Sequence, residues 1–119
     1  MVTIKSHTDI SQSKVLAEIL PLESADCFWD YDEMQKFHRI NWFEDGFNKE
    51  SQLLLNTNNI CAWSLAALLE QFEDATGLAK EYGLWFCYDN RKSYCTKHYD
   101  NPIDACVEMI LNLHELKML

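Results

Sequence analysis

The sequence predicts an α+β fold: a small antiparallel sheet, with a hairpin at about 84–99 and a third strand from 38–43 or 51–56, packed against helices and closed by a C-terminal helix. Three observations lead there. Leu84-Trp85-Phe86-Cys87-Tyr88 and Tyr94-Cys95-Thr96-Lys97-His98-Tyr99 are aromatic-rich, strand-like runs on either side of the turn residues Asp89-Asn90-Arg91-Lys92-Ser93. Asn101, Pro102 and Asp104 make a helix start, and Cys106, Met109, Ile110 and Leu113 behind it form one apolar stripe. A two-stranded hairpin is marginal by itself, so the apolar faces of neighbouring helices have to cover it.

Along the chain, residues 1–8 read as a loose N-terminal arm. Asp9 or Ser11 caps a first helix whose Val15, Leu16, Ile19 and Leu20 share a face, and Pro21 stops it. Ser24, Ala25, Asp26 and Cys27 suggest a second short helical turn. It leads into the aromatic-acidic stretch Phe28-Trp29-Asp30-Tyr31-Asp32. His38-Arg39-Ile40-Asn41-Trp42 alternates as a strand does, and Gly46 would then lie in a turn. Gln52-Leu53-Leu54-Leu55 fits a buried strand or a helical turn, and Asn56-Thr57-Asn58-Asn59 is a loop by its residues. Ser64 then caps a helix carrying Leu65, Leu68, Leu69 and Phe72, with Trp63 packing on Leu68 as a staple and Gly77 as the C-terminal stop.

The 119 residues suit one domain, and with 48% hydrophobic residues and few Gly and Pro the chain has the means to build a core. The formal charge is −9, which argues against direct binding to nucleic acid or to an anionic membrane, because both need a cationic surface. The charge is uneven. Between Glu18 and Glu50 nine acids face Lys36, Arg39 and Lys49, so −6 of the −9 falls in about a quarter of the chain. No apolar leader opens MVTIKSHTDISQS, and no run approaches the ~18 residues of a membrane span. Cys27, Cys61, Cys87, Cys95 and Cys106 are odd in number and scattered, which reads as reduced and mostly buried thiols in a cytoplasmic protein.

Ala62-Trp63-Ser64-Leu65-Ala66-Ala67-Leu68-Leu69, the hairpin, and Asp100-Asn101-Pro102-Ile103-Asp104-Ala105-Cys106-Val107-Glu108-Met109-Ile110 resemble a group of short uncharacterised proteins. These are common in Bacteroides-type gut bacteria and associated with their phages and mobile elements. Glu23-Ser24-Ala25-Asp26-Cys27 looks like the same group, and the resemblance covers roughly residues 15–116, thinning between 34 and 58. It implies a fold and a mobile-element setting. The group has no established activity, so no catalytic or binding residue is carried over.

The chemistry-bearing residues give two readings of different class. Phe28, Trp29, Tyr31, Trp42 and Phe43 are interleaved with Asp26, Asp30, Asp32, Glu33, Glu44 and Asp45. Aromatic anchors among like charges suit docking onto a basic protein surface, such as that of a protein that normally grips nucleic acid. The expected protein-binding residues are therefore Trp29, Asp30, Tyr31, Asp32, Glu33, Trp42, Glu44 and Asp45, in a non-enzymatic interaction module with an unidentified protein partner and no cofactor. The plainer reading of the same residues is rings in a core and acids in solvent.

The alternative is a small Cys/His metal-dependent or thiol-based catalytic domain using Cys87, Cys95 and His98. Cys95-Thr96-Lys97-His98 supplies one close ligand pair, where a structural zinc site needs two, and period-2 alternation separates Cys95 from His98. Hairpin parity decides whether Cys87 faces Cys95: an odd loop opposes them, and a two- or four-residue loop opposes Cys87 to Thr96. Cys106 sits in the first turns of the last helix, where the dipole favours a thiolate, but on its apolar stripe, and none of His7, His38, His98 and His114 is placed beside it. The acid pairs Asp30/Asp32, Glu44/Asp45 and Glu73/Asp74 read as solvated faces, and Gly46, Gly77 and Gly83 are too isolated for a phosphate loop. A symmetric homodimer is a third outcome that needs no motif.

Overall fold

The computed structural model describes residues 5–32, 34, 36–43, 59–91 and 93–119. It is an α+β fold with two three-stranded antiparallel sheets, three α-helices and a 3-10 turn among these residues. Contacts gather the chain into two compact units, one spanning Thr8–Ser64 and the other Met1–His7 with Leu65–Leu119.

The first unit begins with helix α1 (Ile10–Ala17). Asp9 caps it through a full capping box, its carboxylate accepting from the Gln12 N–H while the Gln12 side chain accepts from the Asp9 N–H. Leu16 and Leu20 are buried as the spacing required, but Val15 is 45% exposed. A 3-10 turn follows Pro21 at Leu22–Ser24, shorter than the turn expected through Cys27, because Cys27 already belongs to strand β1 (Cys27–Asp32). Strand β2 (Phe37–Trp42) folds back on β1, and β3 (Ile60–Ala62) pairs with the other side of β1, giving the order β2-β1-β3. The alternation of 38–42 is thus a strand, but it joins β1 and not the 84–99 hairpin. The second candidate for a third strand, 51–56, and the turn at Gly46 lie outside the described residues.

Buried polar bonds between distant residues complete this unit. Thr8 N–H donates to the Trp63 carbonyl at 2.9 Å, Trp63 N–H returns to Thr8 Oγ1 at 3.1 Å, and Thr8 Oγ1 lies 2.7 Å from Ser13 Oγ. The indole of fully buried Trp63 donates to Ser24 Oγ at 2.9 Å. Asp26 accepts from the Ser64 N–H at 2.9 Å and from the Ser64 hydroxyl.

In the second unit, helix α2 (Leu65–Leu69) is shorter than the run to Phe72 suggested; tight i→i+3 bonds carry the chain from Leu69 to Phe72 instead. Gly77 is no helix stop. It lies in strand β4 (Thr76–Glu81), the third strand of the hairpin sheet, which pairs with β5 (Leu84–Asp89). A Cβ at Gly77 would sit 2.5 Å from Tyr88 Oη, so only glycine lets the Tyr88 ring lie across β4. Tyr82 and Gly83, at φ 52° and 79°, join β4 to β5 as a two-residue turn with both φ positive, the geometry whose twist matches antiparallel strands. Strand β6 (Tyr94–Cys95) completes the order β4-β5-β6.

Helix α3 (Pro102–Glu115) closes the unit as expected. Asn101 Oδ1 accepts from the Asp104 N–H at 2.8 Å, and proline stands in the first turn. Ile103, Ala105, Cys106, Met109, Ile110 and Leu113 are buried, packed against β5 and α2. At about 1.5–3 kcal/mol for each large aliphatic side chain removed from water, this stripe is a large stabilising contribution. Of the expected N-terminal arm, Lys5 is tied down through an ion pair of 2.8 Å with Asp104.

Candidate protein-binding face

Strands β1 and β2 carry the aromatic and acidic residues singled out by the sequence. Their register pairs Cys27 with Trp42, Phe28 with Asn41, Trp29 with Ile40 and Asp30 with Arg39. Side chains alternate along a strand, and residues directly opposite share a face. One face therefore carries Cys27, Trp29, Ile40 and Trp42, and the other carries Phe28, Asp30, Arg39 and Asn41. Interleaved in sequence, the indoles and Asp30 are segregated in space.

Asp30 is also partly neutralised where it stands. Asn41 Nδ2 donates to its carboxylate at 3.1 Å, and Arg39 Nε lies 4.0 Å away. Trp29 is half-buried and anchored, its indole N–H donating to the Thr8 carbonyl at 3.1 Å. Phe28 is buried, with its ring 4.9 Å from that of Phe43. Trp42, by contrast, is 52% exposed and Phe37 43% exposed, on opposite faces of β2. The backbones of Tyr31 and Asp32 lie in β1 opposite His38 and Phe37. Glu33, Glu44 and Asp45 fall outside the described residues. Among the acids of 18–50, Glu18 and Glu23 are exposed, whereas Asp26 is committed to Ser64.

The Cys/His candidates are spread over both faces of the second sheet. Asp89 pairs with Tyr94, so the loop has four residues, and Cys95 stands opposite Tyr88. Cys87 then falls opposite Thr96, whose hydroxyl accepts the Cys87 N–H at 2.9 Å. Cys87 is fully buried beneath α3, while Cys95 is exposed. The His98 ring stacks on Phe86 with centroids 4.8 Å apart. Among the described residues, no group of three or more His, Cys, Asp or Glu side chains is arranged to hold a metal ion.

Three of the thiols are held in the protonated form. Burial pushes Cys61 up to about 11 from an ordinary 9.0. Cys27 is raised by burial and by the neighbouring Asp26 carboxylate, and Cys87 by its hydrogen bond to Cys106 and by burial. Such thiols are poor nucleophiles, because the thiolate is the reactive form.

Two features escaped sequence reasoning. Asp89, read as a turn residue, is almost wholly buried at the end of β5. Its Oδ1 takes Arg91 Nε at 3.1 Å, and Arg91 Nη1 reaches Glu73 at 2.8 Å, while Asp89 Oδ2 has no partner among the described residues. A single acid before Asn-Arg-Lys carries no sign of burial. The second feature is a groove of about 430 Å³ in the first unit, lined by Lys14, Ala17, Glu18, Leu22, Ile60 and Cys61. It draws on three elements whose proximity no local pattern records. No family model, curated protein or solved structure matches this chain.

Proposed function

We propose that this chain is a small non-enzymatic interaction module, encoded by a mobile element and working in the cytoplasm, that binds a basic surface of a protein partner through the β1–β2 region. The observation that carries this reading is the exposure of Trp42, a 52% exposed indole within the segment holding −6 of the net charge. Tryptophan is the side chain in which binding energy concentrates, and surrounding acids speed encounter with a cationic partner. The segregation of faces refines the reading: Trp42 supplies the anchor, and the acids supply a long-range field. No helix among the described residues is long and apolar enough to cross a membrane.

The test is affinity capture from host lysate with three baits: the native chain, Trp42→Ala, and Asp30→Asn with Asp32→Asn. Neutralisation is preferred to charge reversal because Arg39 stands opposite Asp30, where a new cation would be repelled. The expected result is a basic protein retained by the native bait, released by raised salt, and weakened on both variants while their circular dichroism is unchanged. Equal retention on all three baits, or no enrichment, overturns the proposal.

A further inference from the structure

We propose that Cys87 and Cys106 form a reversible buried disulfide that clamps the C-terminal helix to the sheet when peroxide is in excess. The inference stands apart from the binding reading, since both residues lie in the second unit. Both side chains are fully buried, one on β5 and one in the first turns of α3. Cys87 Sγ–H donates to Cys106 Sγ, with the sulfurs 3.8 Å apart. A disulfide needs about 2.05 Å, so the sulfurs must close by less than about 2 Å, within reach of a side-chain rotation and a small shift of the helix. The two cysteines are 19 positions apart in the chain, so the bond would close a loop long enough to restrict the unfolded state appreciably. Cys95 is exposed, and its place opposite Tyr88 puts it on the other face of the sheet from Cys87.

The oxidant class is a small uncharged peroxide able to enter a packed core. One sulfur attacks the peroxide O–O bond, losing its proton and giving a sulfenic acid and water. The other sulfur then attacks the sulfenic sulfur, forming the S–S bond and releasing the hydroxyl with its own proton as a second water. Two thiols thereby lose two protons and two electrons, which reduce hydrogen peroxide to two waters. The raised Cys87 thiol makes this slow at rest, so the pair stays reduced until peroxide accumulates.

The test uses the intact chain. It is treated with hydrogen peroxide, alkylated under denaturing conditions and mapped by mass spectrometry without reduction. The expected product lacks two hydrogens, yields a linked peptide pair containing Cys87 and Cys106, and reverts with dithiothreitol. Its Tm rises by roughly 10 °C, and the rise survives Cys95→Ser but not Cys106→Ser. Recovery of all five thiols as alkylated cysteine, or a linkage through Cys95, overturns the proposal without recourse to any variant's stability.

Discussion

The two units solve the same packing problem with different bonds. The second is held by an amphipathic helix whose apolar stripe lies on a sheet, so its stability is spread over many similar side chains. The first, among its described residues, has an eight-residue helix and is keyed by fully buried Trp63 and by polar bonds joining residues 38 to 55 positions apart. A distributed core tolerates single losses, whereas a keyed core depends on a few groups whose partners cannot be replaced by water. The difference predicts where substitutions hurt.

The largest effect is expected from Trp63→Ala. Removing a fully buried indole costs about 4 kcal/mol and leaves Ser24 without its donor; urea denaturation measures the loss. If the contrast between the units holds, that loss exceeds the cost of Ile110→Ala on the helical stripe. Equal costs would break it. Next comes Asp26→Ala, which leaves the Ser64 N–H and hydroxyl without their acceptor and should cost about 2 kcal/mol. In the other unit, Asn101→Ala removes one helix cap and should cost about 1 kcal/mol in the same assay.

The smallest effect is a pH dependence shared by both units. Cys27, Cys61 and Cys87 have folded values raised above the ordinary 9.0. The folded state therefore holds these protons more tightly. Their contribution is full only well below pH 9 and falls as the pH rises toward the folded values, with on the order of 1 kcal/mol lost in all between pH 8 and 9. Urea denaturation across this range measures the loss, and a flat profile would break the expectation.

The same contrast explains what the sequence disclosed. The second unit advertises its last helix because cap, proline and stripe lie within thirteen consecutive residues, and local rules read local signals. Its hairpin strand β5 was visible from its aromatic run for the same reason. Strand β4 was not: Gly77 looked like a helix stop, and its reason for being glycine is Tyr88 on the neighbouring strand. The turn at Tyr82-Gly83 was hidden because tyrosine is an unusual residue for a left-handed turn position. In the first unit, the roles of Ser24 and Asp26 could not be read at all, since their partners lie 39 and 38 residues away. At the candidate face, alternation along the chain suggested rings among acids, and strand pairing set Trp29 and Trp42 on one face and Asp30 on the other.

The latches from Thr8, Ser24 and Asp26 to Trp63 and Ser64 also order events during synthesis. A nascent chain that has emerged only as far as β2 owns one half of every latch and neither partner. The first unit cannot close until residues 63 and 64 leave the ribosome, and until then β1 lacks the strand that covers its second edge. Translation speed over the stretch before Ile60 thus sets how long the second edge of an aromatic-rich strand stands open to chaperones or to neighbouring chains.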